Sequence, residues 1–208
     1  MQLDEVVFRR RMVRRYSARP VPLEVLDRVL TISLRAPSAG FSQGVDLLVL
    51  EGPEQTGAFF ALTSEREFLA EPGATAGLLR APVVVVPLSD PEAYVARYAE
   101  SDKVASSLAG LPASDWPTPY WLVDSAFAVM LLLLAATDEG LGALFFRLHR
   151  DPAALLSGFG VPGDRKVIGA VAIGYEESAA AGDPRPSPGS PARRPRRPIG
   201  ESVHRGRW

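Results

Sequence analysis

Hydrophobic residues occupy every position from Ala126 to Ala136, the longest uninterrupted apolar run in the chain. The run consists mostly of Leu and Ala, which are strong helix formers, and Gly140 follows it as a C-cap glycine. A helix that is apolar all round must be buried on all sides. We therefore predict the central helix of a folded core, too short to span a membrane and partly covered by a second subunit.

Four further apolar stretches predict strands at 45–51, 83–86, 141–146 and 167–175. The first has little hydrophobic alternation, which is typical of a strand that is buried on both faces. Pro82 and Pro87 mark the expected ends of the second.

Helical spacing of apolar residues predicts a first helix at 4–13 and a second at 22–36, with Pro22 at its first position. Further helices are expected at 54–70, in two pieces that stop at Pro72 and Gly73, at 91–99, and just after the capping residue Asp151. About four strands and six helices in one domain of this length give an α+β or α/β layout.

Two loops, a linker and a tail connect or follow these elements. Residues 36–44, APSAGFSQG, form a loop of small residues whose backbone N–H groups a flat ligand could approach. Residues 111–119 form a proline-rich loop that carries Trp116. Residues 177–192 are mostly Ala, Gly, Pro and Ser, which is typical of an extended linker. The tail beyond contains Ile199, Val203 and Trp208, so we expect it to dock on a surface.

The residue inventory excludes several classes of site. The chain has no cysteine, which excludes disulfides and thiolate catalysis and fits a cytoplasmic protein, and the acidic start is not a signal peptide. With His149 and His204 as the only histidines, neither a zinc site nor a serine triad is expected. GFGVPG at 158–163 has the spacing of a dinucleotide motif, but it follows a helix and precedes a strand. An enzyme with this inventory must take its chemistry from a cofactor.

A net charge of −1 conceals two basic clusters at opposite ends of the chain. Residues 9–15 hold five arginines and no acid, and residues 185–208 hold seven arginines and one glutamate. Nucleic-acid binders are more often basic overall, so a small polyanion held between the clusters fits better. Arg10, Arg11 and Arg14 could surround one phosphate, although their spacing alone is more typical of a solvated basic face.

Four segments together resemble the nitroreductase-like FMN-dependent oxidoreductase family, and they occur in the family's order. They are RRMVRRYSARPVP at 10–22, APSAGFSQG at 36–44, the central helix ending in GLGALFF at 140–146, and RRPRRPIGESVHRGRW at 193–208. No single segment is specific, but the four in order cover nearly the whole chain.

The resemblance implies a nitroreductase-like α+β fold, with an antiparallel or mixed sheet of four or five strands, flanking helices and a long buried central helix. Residues 1–176 would form the FMN-binding domain, and residues 177–208 a linker and C-terminal arm that extends onto the partner subunit. It also implies a homodimer with FMN at the subunit interface and NAD(P)H as reductant. Neither nucleic acid nor a membrane is expected as a partner.

In this family the two basic clusters would converge on the FMN phosphate. Residues 37–39 would reach the flavin from the other subunit, and residues 145–147 would run beside its ring with a backbone N–H facing N5. The implied cofactor-binding residues are Arg10, Arg11, Met12, Arg14, Pro37, Ser38, Ala39, Phe41, Phe145, Phe146, Arg147, Arg194 and Arg196. Candidate walls of the substrate pocket, for which ordinary core packing is an equal alternative, are Phe41, Trp116, Tyr120 and Trp121.

Four positions depart from the family pattern. Met12 stands where the family usually has Ser, Phe41 where it has Asn, and Val45 where it has Trp. Arg147 stands where small or acidic residues are common. These departures bear on the ring contacts and the choice of substrate, so activity on nitroaromatic compounds is not implied.

The resemblance implies ping-pong hydride transfer from NAD(P)H through the flavin to a small aromatic, quinone-type or nitro-type acceptor. The protein would supply position, electrostatics and a dry pocket. Two alternatives stay open: a flavin-binding homologue that stores FMN with little turnover, and an FMN-dependent dehydrogenase of a metabolite or peptide. The choice between NADH and NADPH also stays open.

Overall fold

The computed structural model describes residues 1–70, 74–177 and 194–208. The chain divides into two units, Met1–Ser178 and Ala179–Trp208. Every strand and α-helix of the described residues lies in the first unit. The described part of the second unit is a short segment with one 3₁₀ turn at Ile199–Glu201.

Five strands of the first unit form one antiparallel sheet. The strand order is β1-β2-β5-β3, and the short β4 pairs with the end of β2. All residues of β2 and β5 are buried, so these two strands form the centre of the sheet. The strands are β1 (Val45–Glu51), β2 (Val83–Ser89), β3 (Gly142–Phe146), β4 (Lys166–Val167) and β5 (Ala170–Gly174).

Helices cover both faces of the sheet, as the α+β prediction requires. They are α1 (Leu3–Arg9), α2 (Leu23–Ser33), α3 (Gly52–Thr63), α4 (Arg66–Ala70), α5 (Ala74–Leu78), α6 (Pro91–Tyr98), α7 (Tyr120–Asp138) and α8 (Ala153–Gly158). Successive side chains of a strand point to opposite faces of the sheet, so the continuous apolar run of β2 packs against the helices on both faces. Val83 and Val85 pack toward α2 and α7, whereas Val84 and Val86 pack toward α3 and α8.

The central helix α7 contains the predicted run 126–136 and ends just before Gly140, but it begins six residues earlier, at Tyr120. Leu132 and Ala136 are fully buried, whereas Phe127 and Met130 are 46% and 40% exposed. The prediction that the helix is buried on all sides therefore holds for the single chain on all but one face. Contrary to expectation, α7 is long and apolar enough to cross a membrane by length and composition. Half of that window is buried inside the fold, which is the arrangement of a core helix.

The first helix is shorter than predicted, and this changes where the arginines point. α1 ends at Arg9, and Met12 instead pairs in parallel with Ala143 of β3. The Val13 N–H donates to the Ala143 carbonyl oxygen at 3.0 Å. The helix prediction for residues 10–13 was wrong because the chain leaves the helix at Arg10, its C-cap, and the Val13 N–H bonds to β3 instead of to a carbonyl oxygen one helical turn back.

Three strand predictions also need correction. β1 is an edge strand in which only Leu50 is buried, because it has a neighbour on one side alone. β2 continues through Pro87 to Ser89, and the stretch 167–175 is divided between β4 and β5 next to Gly169, whose φ is +148°. Helix α5 was not predicted, and the expected stop at 72–73 and nearly all of the 177–192 linker lie outside the described residues.

The glycine-rich motif at 158–163 is a helix stop and turn, as predicted. α8 ends at Gly158, and Gly160 has a φ of +67°. The Val161 N–H then donates back to the Leu156 carbonyl oxygen at 2.8 Å. The motif therefore lies at the C-terminal end of α8, whereas a phosphate-binding motif lies at the N-terminal end of a helix.

Candidate functional site

A hollow of about 320 Å³ opens beside the end of β3. Its walls are mainly apolar and aromatic, its charged groups are two arginines, and no carboxylate lines it. The lining residues are Arg14, Phe68, Leu78, Leu144, Phe145, Phe146, Arg147 and His149. We call this the β3 hollow. An apolar cavity with a few convergent charged groups is typical of a small-molecule site.

Packing beneath the β3 hollow fixes its aromatic wall. Phe146 stacks on Phe60, with ring centroids 6.2 Å apart, and Phe68 lies 4.3 Å from the His149 ring. Gly169 passes so close that a Cβ there would lie 2.6 Å from the Phe146 carbonyl oxygen. A larger residue at this position would push the end of β3 aside, so this glycine shapes the site.

Arg14 reaches the β3 hollow because the segment after α1 runs beside β3. The buried Tyr16 anchors this segment, and its hydroxyl donates to the Val13 carbonyl oxygen at 2.7 Å. Burial raises the pKa of Tyr16, so the hydroxyl stays a neutral donor at physiological pH. Arg14 itself is exposed, and among the described residues its guanidinium donates only to the Met12 carbonyl oxygen, at 3.4 Å.

Arg11 faces a different hollow from Arg14. Both guanidinium NH₂ groups of Arg11 donate to the Glu176 carboxylate. The pair borders a hollow of about 350 Å³ on the other side of the segment, which Arg9 and Val13 also line. Because an extended chain alternates its side chains, neighbouring arginines separate in this way. Arg10 is half-buried and lines neither of these two hollows.

The loop at residues 37–43 has an unusual backbone. Gly40, Phe41 and Gln43 all have left-handed conformations, with φ values of +62°, +60° and +51°. For the two non-glycine residues such a conformation costs about 1–3 kcal/mol each. Phe41 is nevertheless 74% exposed, so contacts elsewhere must hold the loop in this shape.

Two neighbouring elements hold the 37–43 loop in place. The Ala39 N–H donates to Asp124 Oδ2 at 2.8 Å, and the Tyr94 hydroxyl donates to the same oxygen at 2.7 Å. Burial, together with this bond, raises the pKa of Tyr94. Arg97 Nε donates to the Gly40 carbonyl oxygen at 2.8 Å, and its guanidinium lowers the pKa of Asp102 to about 2. At neutral pH Tyr94 therefore stays protonated and can donate to Asp124, and Asp102 stays ionised and can pair with Arg97.

The aromatic residues suggested as pocket walls lie in two environments. Trp116 and Trp121 are buried in one cluster with Tyr94, against which the half-buried Tyr120 packs. The Trp116 and Trp121 rings lie 5.9 Å apart. Phe41 belongs to the exposed loop. In the single chain, therefore, the tryptophans fit core packing and Phe41 is free for contact.

The expected loop residues Pro37, Ser38 and Ala39 do not line the β3 hollow. Pro37 and Ser38 border a third hollow, of about 210 Å³, together with Asp124. Arg194 and Arg196 are exposed within the second unit. Among residues 1–70, 74–177 and 194–208, no group of acidic or histidine side chains could hold a metal ion.

Sequence reasoning missed two contributors to this region. Asp124 is the one carboxylate in the mostly apolar stretch 120–136, which is a readable signal because buried carboxylates are rare without partners. His149 was considered only as a metal ligand, and its place against Phe68 depends on the fold.

Comparison with known proteins places this geometry in a family. The model of the nitroreductase family matches residues 7–175. A curated relative from Archaeoglobus fulgidus, named "Putative NADH dehydrogenase/NAD(P)H nitroreductase", is 23% identical over 98% of this chain and 97% of its own.

Solved structures share the fold at low sequence identity. A nitroreductase family protein from Streptococcus pneumoniae superposes with a TM-score of 0.70 at 17% identity, over 98% of this chain and all of the other. A Desulfovibrio desulfuricans protein, described as a "putative nitroreductase in complex with FMN", superposes with a TM-score of 0.69 at 19% identity, over 100% and 98% of the two chains. Since the family model covers most of the sequence, the chain belongs to the nitroreductase family.

Proposed function

We propose that the protein is an FMN-dependent oxidoreductase that passes hydride from NAD(P)H to a small acceptor. The observation that carries this proposal is the β3 hollow, where an apolar aromatic wall meets two arginines without an opposing carboxylate. Family membership and the FMN complex of the Desulfovibrio relative support the choice of cofactor.

The residues of the β3 hollow fit FMN in chemical character. Leu144, Phe145 and Phe146 offer apolar surface to a flat ring, and Arg14 offers a guanidinium suited to phosphate. In the described residues neither Arg14 nor Arg147 forms an ion pair, so both charges are available to an anion. Met12 has no hydroxyl that could bind the phosphate, and its backbone pairs with Ala143 of β3.

The backbone at the end of β3 adds a polar group to this site. The β3–β5 ladder ends with the pair Phe146 and Ala170. Beyond it, the Arg147 N–H donates to no acceptor among the described residues. A free backbone donor needs water or a ligand as its partner, and we assign it to an acceptor atom on the flavin ring.

The chain needs no acid–base residue of its own for this activity, because FMN supplies the hydride chemistry when it is bound. The residues of the β3 hollow would bind the cofactor, orient its ring and keep water from one face. The acceptor would lie on the face that the protein leaves open.

We further propose that the functional unit is a homodimer. The exposed face of α7 carries Phe127 and Met130, and Ile32 of α2 and the following residue Leu34 are 41% and 55% exposed. The two helices pack against each other, and exposed apolar surface of this kind marks interfaces. In such a dimer the exposed Phe41 of one subunit would lie near the β3 hollow of the other.

Removing the side chain of Arg14 should weaken FMN binding about tenfold or more. A charge-assisted hydrogen bond to phosphate contributes about 1.5–3 kcal/mol, and Arg14 has no competing carboxylate among the described residues. The measurement is an FMN fluorescence titration of Arg14→Ala. Arg28→Ala is the matched control, because Arg28 pairs with Glu139 on the surface and should leave FMN affinity unchanged. Parent-like affinity in Arg14→Ala would remove Arg14 from the site.

Turnover of NADH or NADPH tests the proposed activity itself. We expect the FMN-loaded protein to oxidise one or both nucleotides in the presence of a quinone acceptor, as followed by absorbance at the nicotinamide band. Tight FMN binding without any turnover would contradict the reductase and favour the storage protein.

A further inference from the structure

Asp124 is a buried carboxylate in the most apolar helix of the described structure. It is 4% exposed, and its Oδ2 atom accepts both the Ala39 N–H and the Tyr94 hydroxyl. No ion pair to Asp124 occurs within the described ranges. Burying a carboxylate is costly unless donors compensate it. The Asp124 carboxylate therefore serves to bind these two donors, one from the 37–43 loop and one from α6.

The bond to Ala39 ties the 37–43 loop to a buried carboxylate of α7. Bonds within the loop, such as Ser42 Oγ to the Ala39 carbonyl oxygen at 2.7 Å, set its local shape but not its place. Arg97 Nε also donates to the loop, at the Gly40 carbonyl oxygen, but its guanidinium pairs with the exposed carboxylates of Glu100 and Asp102. Asp124 thus joins α7, α6 and the loop at a single atom.

The loop needs such a tie because its backbone is strained. Phe41 and Gln43 have left-handed conformations, and such conformations persist only where the surroundings determine them. Without an anchor at Ala39, the loop can relax and turn the Phe41 ring to another direction.

We propose that Asp124 is a positioning residue of the flavin site, which holds the 37–43 loop so that Ser38 and Phe41 face the ligand across the subunit interface. The inference rests on the proposed function, because the ligand is FMN. Asp124 acts through the loop and touches neither cofactor nor substrate.

Asp124→Ala should lower FMN affinity at least tenfold, because the Ala39 N–H and the Tyr94 hydroxyl lose their acceptor. Amide hydrogen exchange at residues 39–43 should become faster in the same variant. Asp124→Asn keeps an acceptor oxygen at the position of Oδ2, so its FMN affinity should stay within about threefold of the parent's. This rescue separates the need for an acceptor oxygen at this position from a need for a negative charge.

Ser125→Ala is the matched control. Ser125 is the next residue of α7, is fully buried, and bonds through Oγ to Ser89 Oγ at 2.6 Å. Its substitution removes a buried hydrogen bond from the same helical turn without touching the loop. FMN affinity and exchange at residues 39–43 should match the parent.

If Asp124→Ala does not fold, Ala39→Pro tests the same hydrogen bond from the side of the loop. Ser38 is extended, with φ −133° and ψ 144°, which is the conformation that a following proline favours. Ala39→Pro therefore removes the donor from the loop side and leaves the side chains of Asp124 and Tyr94 unchanged, and it should lower FMN affinity as Asp124→Ala does.

Parent-like FMN affinity and exchange in the folded Asp124→Ala protein, or in Ala39→Pro, would overturn the positioning role. An equal loss of affinity in Ser125→Ala would do the same. If the parent protein does not bind FMN, the proposed function fails. Exchange at residues 39–43 then still decides on Asp124, because that measurement needs no cofactor.

Discussion

Leu132→Glu is expected to yield no soluble folded protein. Leu132 is fully buried in α7, within the cluster that contains Val29 of α2 and Val85 of β2. A glutamate there would bury an uncompensated charge and lose the apolar packing, at a cost of several kcal/mol. Domains of this size are stable by only about 5–15 kcal/mol. The measurement is the soluble fraction on expression, followed by circular dichroism.

Met130→Glu is the control for Leu132→Glu, because Met130 lies two residues away on the exposed face of α7. This variant should fold but form a monomer, since its charge would lie in the proposed dimer interface. Light scattering distinguishes the two states. A soluble Leu132→Glu protein with the circular dichroism of the parent would show that the central helix does not form the core.

Truncation after Glu177 should abolish tight FMN binding and weaken the dimer. Glu177 is kept because its carboxylate pairs with Arg80 and its N–H donates to the Arg15 carbonyl oxygen at 3.1 Å. The truncation removes Arg194 and Arg196, whose loss should cost about a hundredfold in FMN affinity if each contributes about tenfold. It also removes the exposed apolar residues Ile199 and Trp208.

The two effects of truncation can be separated in the full-length chain. The double variant Arg194→Ala with Arg196→Ala should lose FMN affinity and remain a dimer. Trp208→Ala should instead weaken the dimer, because this side chain is 99% exposed in the single chain and is expected to pack on the partner. A truncated protein that stays dimeric and binds FMN like the parent would establish that the tail is dispensable.

Long apolar runs predicted the fold well because burial leaves few alternatives for them. The run at 126–136 gave the central helix, and 45–51 gave β1 with its observed bounds. The extended segment after α1 could not be predicted, because its hydrogen bonds go to Ala143, which is distant in sequence. The edge position of β1 was missed for the same reason, since the order of the strands in the sheet cannot be read from the sequence of any one strand.

For the candidate site, the sequence located segments better than it located side-chain directions. Arg14 and residues 145–147 come together in the β3 hollow. The pairing of Arg11 with Glu176 could not be foreseen, because the two residues are 165 positions apart. Asp124 was within reach of sequence reasoning, but its partner Ala39 lies 85 positions away, so its role became visible only in the folded chain.

Titration of the purified full-length protein with FMN tests the central claim most directly. We predict quenching of FMN fluorescence that saturates at one FMN per chain, and a yellow protein after removal of the excess. A colourless protein that leaves FMN fluorescence unchanged would contradict the assignment of the β3 hollow as a flavin site.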